Sequence, residues 1–295
     1  RPGIDYPENA QIENVPENYR YEFTHRPEDA LRDVCGISTV NLSPFITQRH
    51  KIRESHERWT ARGNAHPVHR DNVDLAEHGM PVLRPELLDA DTETPRFVHI
   101  DLSRTGDRCG IAMTRIDDIF ELPIGQEMDS GGMVYERVPY FTTELAISIR
   151  PSQAAPLDIA AVRNWVVELK TVHRVPIYMV TYDGFDSAES VQALRAIGIR
   201  SEVISLDRSD EGYTLLRRAL YQDRADVPPN EILTSELINL EKDEKSGKVD
   251  HPPKGSKDIS DAVAGSMFAA VTSRPYRTQF YFTNGQGQRI LPPGR

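Results

Sequence analysis

The sequence predicts an α/β protein in which a mixed β-sheet carries helices packed on its faces. Two strand-like runs, Arg96–Ser103 and Arg108–Arg115, flank the turn Thr105-Gly106-Asp107 and read as a hairpin. Strand and helix patterns then alternate through about residue 206, the order of a βαβ unit. The helical stretch Asp158–His173 is amphipathic, its apolar residues recurring at spacings of three and four.

The elements follow in order. Residues 1–92 are rich in proline and scattered charge, with few periodic apolar stretches, and read as a peripheral, linker-like segment holding helices near Pro27–Val34 and Phe45–Thr60. Asn64–His69 reads as loop. The hairpin strands fall at Arg96–Ser103 and Arg108–Arg115, with a third strand within Met133–Ile149. A helix over Asp158–His173 places Ile159, Val162, Val166 and Leu169 at spacings of three and four and stops before Pro176. The strand Ile177–Tyr182 leads to a helix capped by Asp186 or Ser187 and ended by Gly198. Ser201–Leu206 is a further strand, and Glu211–Gln222 a further helix. Glu231–Pro252 holds a short helix and a hairpin turning at Ser246-Gly247-Lys248. The helix Asp258–Thr272 is rich in Ala and Gly, which permits close approach to a sheet, and residues 274–295 form a peripheral tail.

Bulk properties narrow the function classes. The chain has 295 residues, a hydrophobic fraction of 38% and a charged fraction of 27%, room for one large domain or one domain with an attached segment. No run approaches the roughly 18 consecutive apolar residues of a membrane span. Nothing resembles a signal peptide, and the start Arg1-Pro2-Gly3 suggests a fragment of a longer protein. Cys35 and Cys109 have no metal-ligand spacing and are expected to be buried, unpaired thiols. No Walker A loop is present, so ATP hydrolysis by that route is not expected. The net charge of −10 is unusual for a protein that binds nucleic acid. Lys242, Lys245, Lys248, Lys254 and Lys257 form a local basic set, but interleaved acids allow the alternative of a solvated charged face.

The chemistry points to three aspartates at the ends of elements. Asp101 closes the apolar run Phe97–Ile100, Asp183 closes the strand Ile177–Tyr182 and precedes Gly184, and Asp258 opens the last long helix. Gathered at one point, they would make a divalent-metal site of hard oxygen ligands, suited to Mg²⁺ or Mn²⁺ rather than zinc. Two such ions about 3.5–4 Å apart support phosphodiester hydrolysis. Asp261, three residues beyond Asp258, shares its helix face and could join the set. Each acid also has a structural alternative: a strand-end charge for Asp101, turn chemistry for Asp183, and an electrostatic cap of the helix for Asp258.

The segments Ile100-Asp101-Leu102-Ser103-Arg104-Thr105-Gly106-Asp107, Tyr182-Asp183-Gly184-Phe185-Asp186-Ser187 and Gly255-Ser256-Lys257-Asp258-Ile259-Ser260-Asp261-Ala262 together resemble the C-terminal nuclease of phage large terminase subunits. The resemblance covers about residues 93–273 and implies an RNase H-like fold. It implies a metal-dependent DNA endonuclease that cuts concatemeric viral DNA during packaging, with Asp101, Asp183 and Asp258 catalytic and two divalent cations, Mg²⁺ or Mn²⁺, as cofactors. Asp261 matches a further helix acid counted among the metal ligands. Implied partners are double-stranded DNA, the portal protein and the small terminase subunit, with no membrane, in the host cell cytoplasm during virion assembly. Residues 1–92 resemble the stretch linking an ATPase motor, absent here, to the nuclease. At Lys257-Asp258 the chain departs from the many relatives that carry two adjacent acids. The alternatives are an RNase H-like resolvase or transposase-type nuclease, and a non-catalytic module that docks packaging components.

Overall fold

The computed structural model describes residues 19, 44–103, 107–126, 133–184, 186–206, 210–243, 247–252, 255–273, 282–283 and 289–290, with backbone alone at 123–126, 133–134, 282–283 and 289–290. The chain forms two compact units, 1–43 and 44–295. In the first only Tyr19 is described, so the helix expected at Pro27–Val34 and Cys35 lie outside the described residues, as do Lys245, Lys254 and residues 274–281 of the tail.

The second unit opens with α1 (His50–Ala61), β1 (Asn72–Asp74) and the single turn α2 (Leu75–His78). The hairpin and its extension follow as β2 (Arg96–Asp101), β3 (Cys109–Gln126) and β4 (Met133–Arg150). Next come α3 (Ile159–Thr171), β5 (Ile177–Tyr182), α4 (Ala188–Ala196), β6 (Arg200–Val203), α5 (Glu211–Tyr221) and β7 (Ala225–Asp226). The series ends with α6 (Glu231–Asn239), the small hairpin β8 (Glu241–Lys242) and β9 (Val249–Asp250), α7 (Asp258–Thr272), and the pair β10 (Phe282–Thr283) and β11 (Arg289–Ile290).

One seven-stranded sheet organises these pieces in the order β1-β4-β3-β2-β5-β6, with β7 also on the outer edge of β4. β2, β3 and β4 run antiparallel, whereas β5 joins β2 and β6 joins β5 in parallel. This is the RNase H-like mixed sheet: an antiparallel meander on one side of β2 and parallel crossovers on the other. β1 and α1 come from the stretch with little apolar periodicity. α1 nevertheless buries Ile52 and Trp59, and the Trp59 indole N–H donates to the Thr143 carbonyl at 2.8 Å.

Side-chain alternation assigns the two faces. On β2 and β3, Val98, Ile100, Ile111 and Met113 point into a core shared with Val162, Val166 and Leu169 of α3 and Val191 and Leu194 of α4. Phe97 and Ala112 face a second core with Leu216 of α5, Leu233 of α6 and Ala262, Val263 and Ala269 of α7. The small residues of α7, Ala262, Ala264, Gly265 and Ala269, let that helix lie close against β2 and β3.

Two glycines mark the closest approaches. A Cβ on Gly265 of α7 would lie 2.4 Å from the His99 ring, so the imidazole fits only because the helix has no side chain there. His99 is fully buried, its Nδ1 is 2.8 Å from Thr181 Oγ1, and burial lowers its pKa to about 4, so it stays neutral near pH 7. Gly265→Ala is expected to cost roughly 1–3 kcal/mol, the usual range for overpacking a filled core, which a urea titration would measure.

The extended hairpin departs from expectation. The first of its strands was expected to end near Arg115, yet β3 and β4 stay paired out to Gln126 and Met133. Register shifts at Met113/Thr114, Ile116/Asp118 and Pro123/Gly125 twist this arm, and Phe120 and Tyr135 are exposed on it. The expected caps of α4 also differ. Ser187 occupies the N-cap position without a side-chain bond to the helix N–H groups, its hydroxyl donating instead to the Gly184 carbonyl at 3.5 Å, and Asp186 adopts a positive φ of 47°.

Candidate active site

The three strand- and helix-end aspartates lie at one end of the sheet. Asp101 is the last residue of β2 and pairs across the ladder with Gly110. Asp183 follows β5 directly, and its N–H donates to the Ile100 carbonyl at 3.1 Å, which sets it level with Asp101 on the neighbouring strand. Strand alternation puts both side chains on the α7 face, since His99 and Thr181, two residues earlier on each strand, meet on that face.

Gly110 brings in the third acid. A Cβ there would lie 2.0 Å from the Asp258 carbonyl oxygen, so the first turn of α7 rests directly on the backbone opposite Asp101. The Arg108 N–H donates to Asp258 Oδ2 at 3.1 Å and orients that carboxylate from the start of the β3 strand. Asp261 lies one turn along α7, buried, accepting from the Tyr213 hydroxyl at 2.6 Å and pairing with Lys257 Nζ at 3.1 Å.

The acids feel one another. Burial raises the Asp101 pKa well above the usual carboxylate range, and the charges of Asp261, Asp258 and Asp183 raise it further, against the opposing charge of Lys257. Asp258 is raised to about 6, first by burial, with the Arg108 N–H opposing and Asp261 adding to the rise. A carboxylate left in such surroundings is costly unless a cation compensates it. No hydrogen-bond donor among the described residues reaches the Asp101 carboxylate. The thiol of Cys109 beside it is free, buried and raised well above its ordinary pKa, so it is an inert neighbour.

One acid of this neighbourhood had no signal in the sequence. Glu236 of α6 is buried, accepts from the Ser256 hydroxyl at 2.6 Å and the Ser260 N–H at 2.8 Å, and so caps the first turn of α7 from outside that helix. Burial raises its pKa to about 7, and the charges of Asp258 and Asp261 add to the rise. Nothing in the spacing of a short amphipathic helix marks this glutamate, because its partners are serines some 20 residues away.

Most of the basic set is otherwise engaged. Lys242 pairs with Asp210 at 2.6 Å and Lys248 with Asp250 at 3.0 Å, which matches the interleaved charged face more closely than an open basic groove. His251 keeps its Nδ1 2.7 Å from the Pro252 carbonyl. His66 spends its Nε2 on the Ala146 backbone, as a structural histidine would.

The donor set fits a hard divalent cation: carboxylate oxygens from three separate elements, with Asp101 lacking a hydrogen-bond donor among the described residues. Among the described residues, however, no three His, Cys, Asp or Glu side chains stand ready to hold an ion together. The cause is local. Asp183 Oδ1 takes the Gly184 N–H at 2.6 Å, Asp258 takes the Arg108 N–H, and Asp261 is turned to Tyr213 and Lys257. Each of these three carboxylates is thus oriented by a donor of its own.

No family model matches the chain, and no curated protein matches it. Solved structures of similar shape include the large terminase nuclease of thermophilic phage G20c, at 14% identity over 62% of this chain and 86% of that one with a TM-score of 0.41. The Thermus phage P74-26 large terminase nuclease domain is 14% identical over 63% of this chain and 84% of that one, with a TM-score of 0.41. The HK97 bacteriophage large terminase is 16% identical over 60% of this chain and only 40% of its own, with a TM-score of 0.40. The G20c nuclease has also been solved with magnesium bound. Among the described residues, no helix is long and apolar enough to cross a membrane.

Proposed function

We propose that this chain is the nuclease portion of a phage large terminase, a divalent-cation-dependent endonuclease that cuts double-stranded DNA during genome packaging. The observation that carries the reading is the meeting of Asp101, Asp183 and Asp258, acids some 75–82 residues apart, at one end of an RNase H-like sheet, where Asp101 has no donor among the described residues. A stabilising role for each acid separately would not require them to share one field, and the shared field costs stability.

In this reading the carboxylates of Asp101, Asp183 and Asp258 hold Mg²⁺ or Mn²⁺, which when bound supply an activated water and charge stabilisation at phosphorus. Asp101 stands between the other two, beside Asp183 on one neighbouring strand and opposite Gly110, on which the Asp258 turn rests, on the other, and would be a ligand with either. Gly110 and Arg108 fix where Asp258 points, and the Gly184 turn leaves Asp183 beside an open backbone. Hydrolysis joins the water oxygen to phosphorus as the bond to the 3′ oxygen breaks, the water loses a proton and the 3′ oxygen gains one. Lysine contacts to phosphate would position the duplex without reading bases, so sequence preference is slight. Portal protein and small terminase subunit are the partners this reading assigns, and the host cytoplasm is where it places the reaction.

The test is nicking of supercoiled plasmid with Mg²⁺ or Mn²⁺ by the unaltered chain, Asp101→Ala and Asp183→Ala. Loss of cleavage by about 10²-fold or more in both variants is expected, as for removal of a principal electrostatic group. Cleavage unchanged in both ends the proposal. Faster cutting of four-way junctions than of linear duplex would favour a resolvase instead. The docking-module alternative draws on the local donors that satisfy Asp183, Asp258 and Asp261, and it predicts no Mn²⁺ binding by calorimetry.

A further inference from the structure

We propose that the Lys257 ammonium is a permanent counter-ion built into this acidic centre, so that the site takes a single exchangeable divalent cation, held by Asp101, Asp183 and Asp258. The inference rests on the nuclease reading above and specifies its metal content, where the sequence resemblance implied two ions.

Lys257 is an improbable place for a buried cation on local grounds. It is the N-cap residue of α7, where the helix dipole disfavours positive charge, and it is only 8% exposed. Burying an ammonium is costly unless an acid compensates it at close range. That acid is Asp261, whose Oδ2 is 3.1 Å from Nζ, on the next turn of the same helix. Asp261 is held in turn from α5: the Tyr213 hydroxyl donates to its Oδ1 at 2.6 Å, and the Tyr213 ring centroid lies 5.8 Å from the ammonium, within cation–π reach. Tyr213 is itself fully enclosed, with its hydroxyl also 3.1 Å from Ser260 Oγ. The ion pair is therefore part of the packed core, not a surface contact that would open when DNA or metal arrives.

The charge of Lys257 reaches beyond Asp261. It opposes the carboxylate charges that act on Asp101, so the ammonium sits within the electrostatic field of the same centre. With Asp101, Asp183, Asp258 and Asp261 ionised, Lys257 leaves three net negative charges in the group. One divalent cation brings that to a single negative charge, and a second would make the group positive. Two divalent ions and an ammonium crowded into one partly buried pocket would also repel one another strongly, since Coulomb energies grow as the local dielectric falls. Asp261, committed to Lys257 and Tyr213, is the acid least able to turn towards an incoming metal.

Mn²⁺ binding to the full chain, followed by electron paramagnetic resonance and calorimetry, reads the stoichiometry without reference to activity. The unaltered chain is expected to bind one equivalent, Lys257→Arg one, and Lys257→Met two. Lys257→Gln, which keeps a donor for Asp261, gives the same reading should Lys257→Met not fold. In parallel, the Mg²⁺ dependence of nicking is expected to steepen from a Hill coefficient of about 1 to about 2 on loss of the ammonium, as for a site that fills with two ions. Two equivalents in the unaltered chain, or one in the folded Lys257→Met and Lys257→Gln variants, overturn the inference and leave the nuclease reading intact. Absence of both Mn²⁺ binding and cleavage in the unaltered chain overturns the nuclease reading and the inference with it.

Discussion

Asp101→Asn is expected to abolish Mg²⁺-dependent nicking while raising the melting temperature of the chain in EDTA. The two effects have one cause. The Asp101 carboxylate is largely buried, has no donor among the described residues and lies in the field of three other acids, so ionising it without a cation strains the folded state. Asparagine keeps the shape and removes the charge, and with it the cost of burying that charge and the repulsion from Asp261, Asp258 and Asp183. A residue retained for stability alone would show the opposite sign. Differential scanning calorimetry in EDTA and in Mg²⁺ decides it: the variant should melt higher than the unaltered chain in EDTA and should lose most of the stabilisation that Mg²⁺ gives.

The pH dependence follows with a definite sign. Asp258 is raised from 3.8 to about 6 and Glu236 from 4.5 to about 7 in the folded chain, and Asp101 is raised as well. Between the ordinary and the raised pKa the folded state holds protons that the unfolded chain has released. Metal-free stability from Asp258 and Glu236 is thus greatest below about pH 4 and falls as pH rises through about 4 to 7, and the raised Asp101 contributes a loss of the same sign. A divalent cation competes with those protons, so the gain in melting temperature on adding Mg²⁺ should grow from pH 5 to pH 8. A gain independent of pH over that range would mean that the cation binds elsewhere.

How far the sequence foretold this site depends on the range of the signal. Ile177–Tyr182 and Asp258–Thr272 coincide with the expected elements because each carries its own pattern, an apolar run before an acid and a helix of small residues opened by one. The position of each aspartate at an element's end was therefore readable, and topology did the rest by placing β2 and β5 side by side in parallel. The outer arm of the hairpin was not readable at its β3 end. Asp117, Asp118 and Glu121 break the apolar alternation, since that arm stands beyond the packed sheet and needs no buried face. Glu236 and Lys257 were obscure for a different reason. A glutamate on a short helix and a lysine in a basic run look like surface groups, and only the tertiary packing of α6 and α5 against α7 encloses them. Trp59 of α1 belongs with these: its partner, the Thr143 carbonyl, lies 84 residues away.

Gly110→Ala is expected to be the most destabilising single-methyl change in the described chain and to disable the site at the same time. The methyl would meet the Asp258 carbonyl oxygen at 2.0 Å, its carbon at 2.5 Å and the Ile259 nitrogen at 3.0 Å, all of them backbone atoms. No rotamer relieves such a clash, so either β3 or the first turn of α7 must move. Both are constrained: Gly110 is paired on one side with Asp101 and on the other with Ser148, and α7 is buried along nearly its whole length. Overpacking ordinarily costs about 1–3 kcal/mol, and a rigid backbone obstacle should place this change at about 3 kcal/mol or more. The displaced turn carries Asp258 away from Asp101, so whatever folded protein remains should bind Mn²⁺ more weakly than the unaltered chain. Gly265→Ala supplies the contrast, because its obstacle is the His99 side chain and lies deeper in the sheet, away from the acids. Comparable loss of stability with metal binding retained in Gly265→Ala and lost in Gly110→Ala would tie the site to this one backbone contact. Equal metal affinity in both variants would show that the approach of α7 at Gly110 does not hold the aspartates in place.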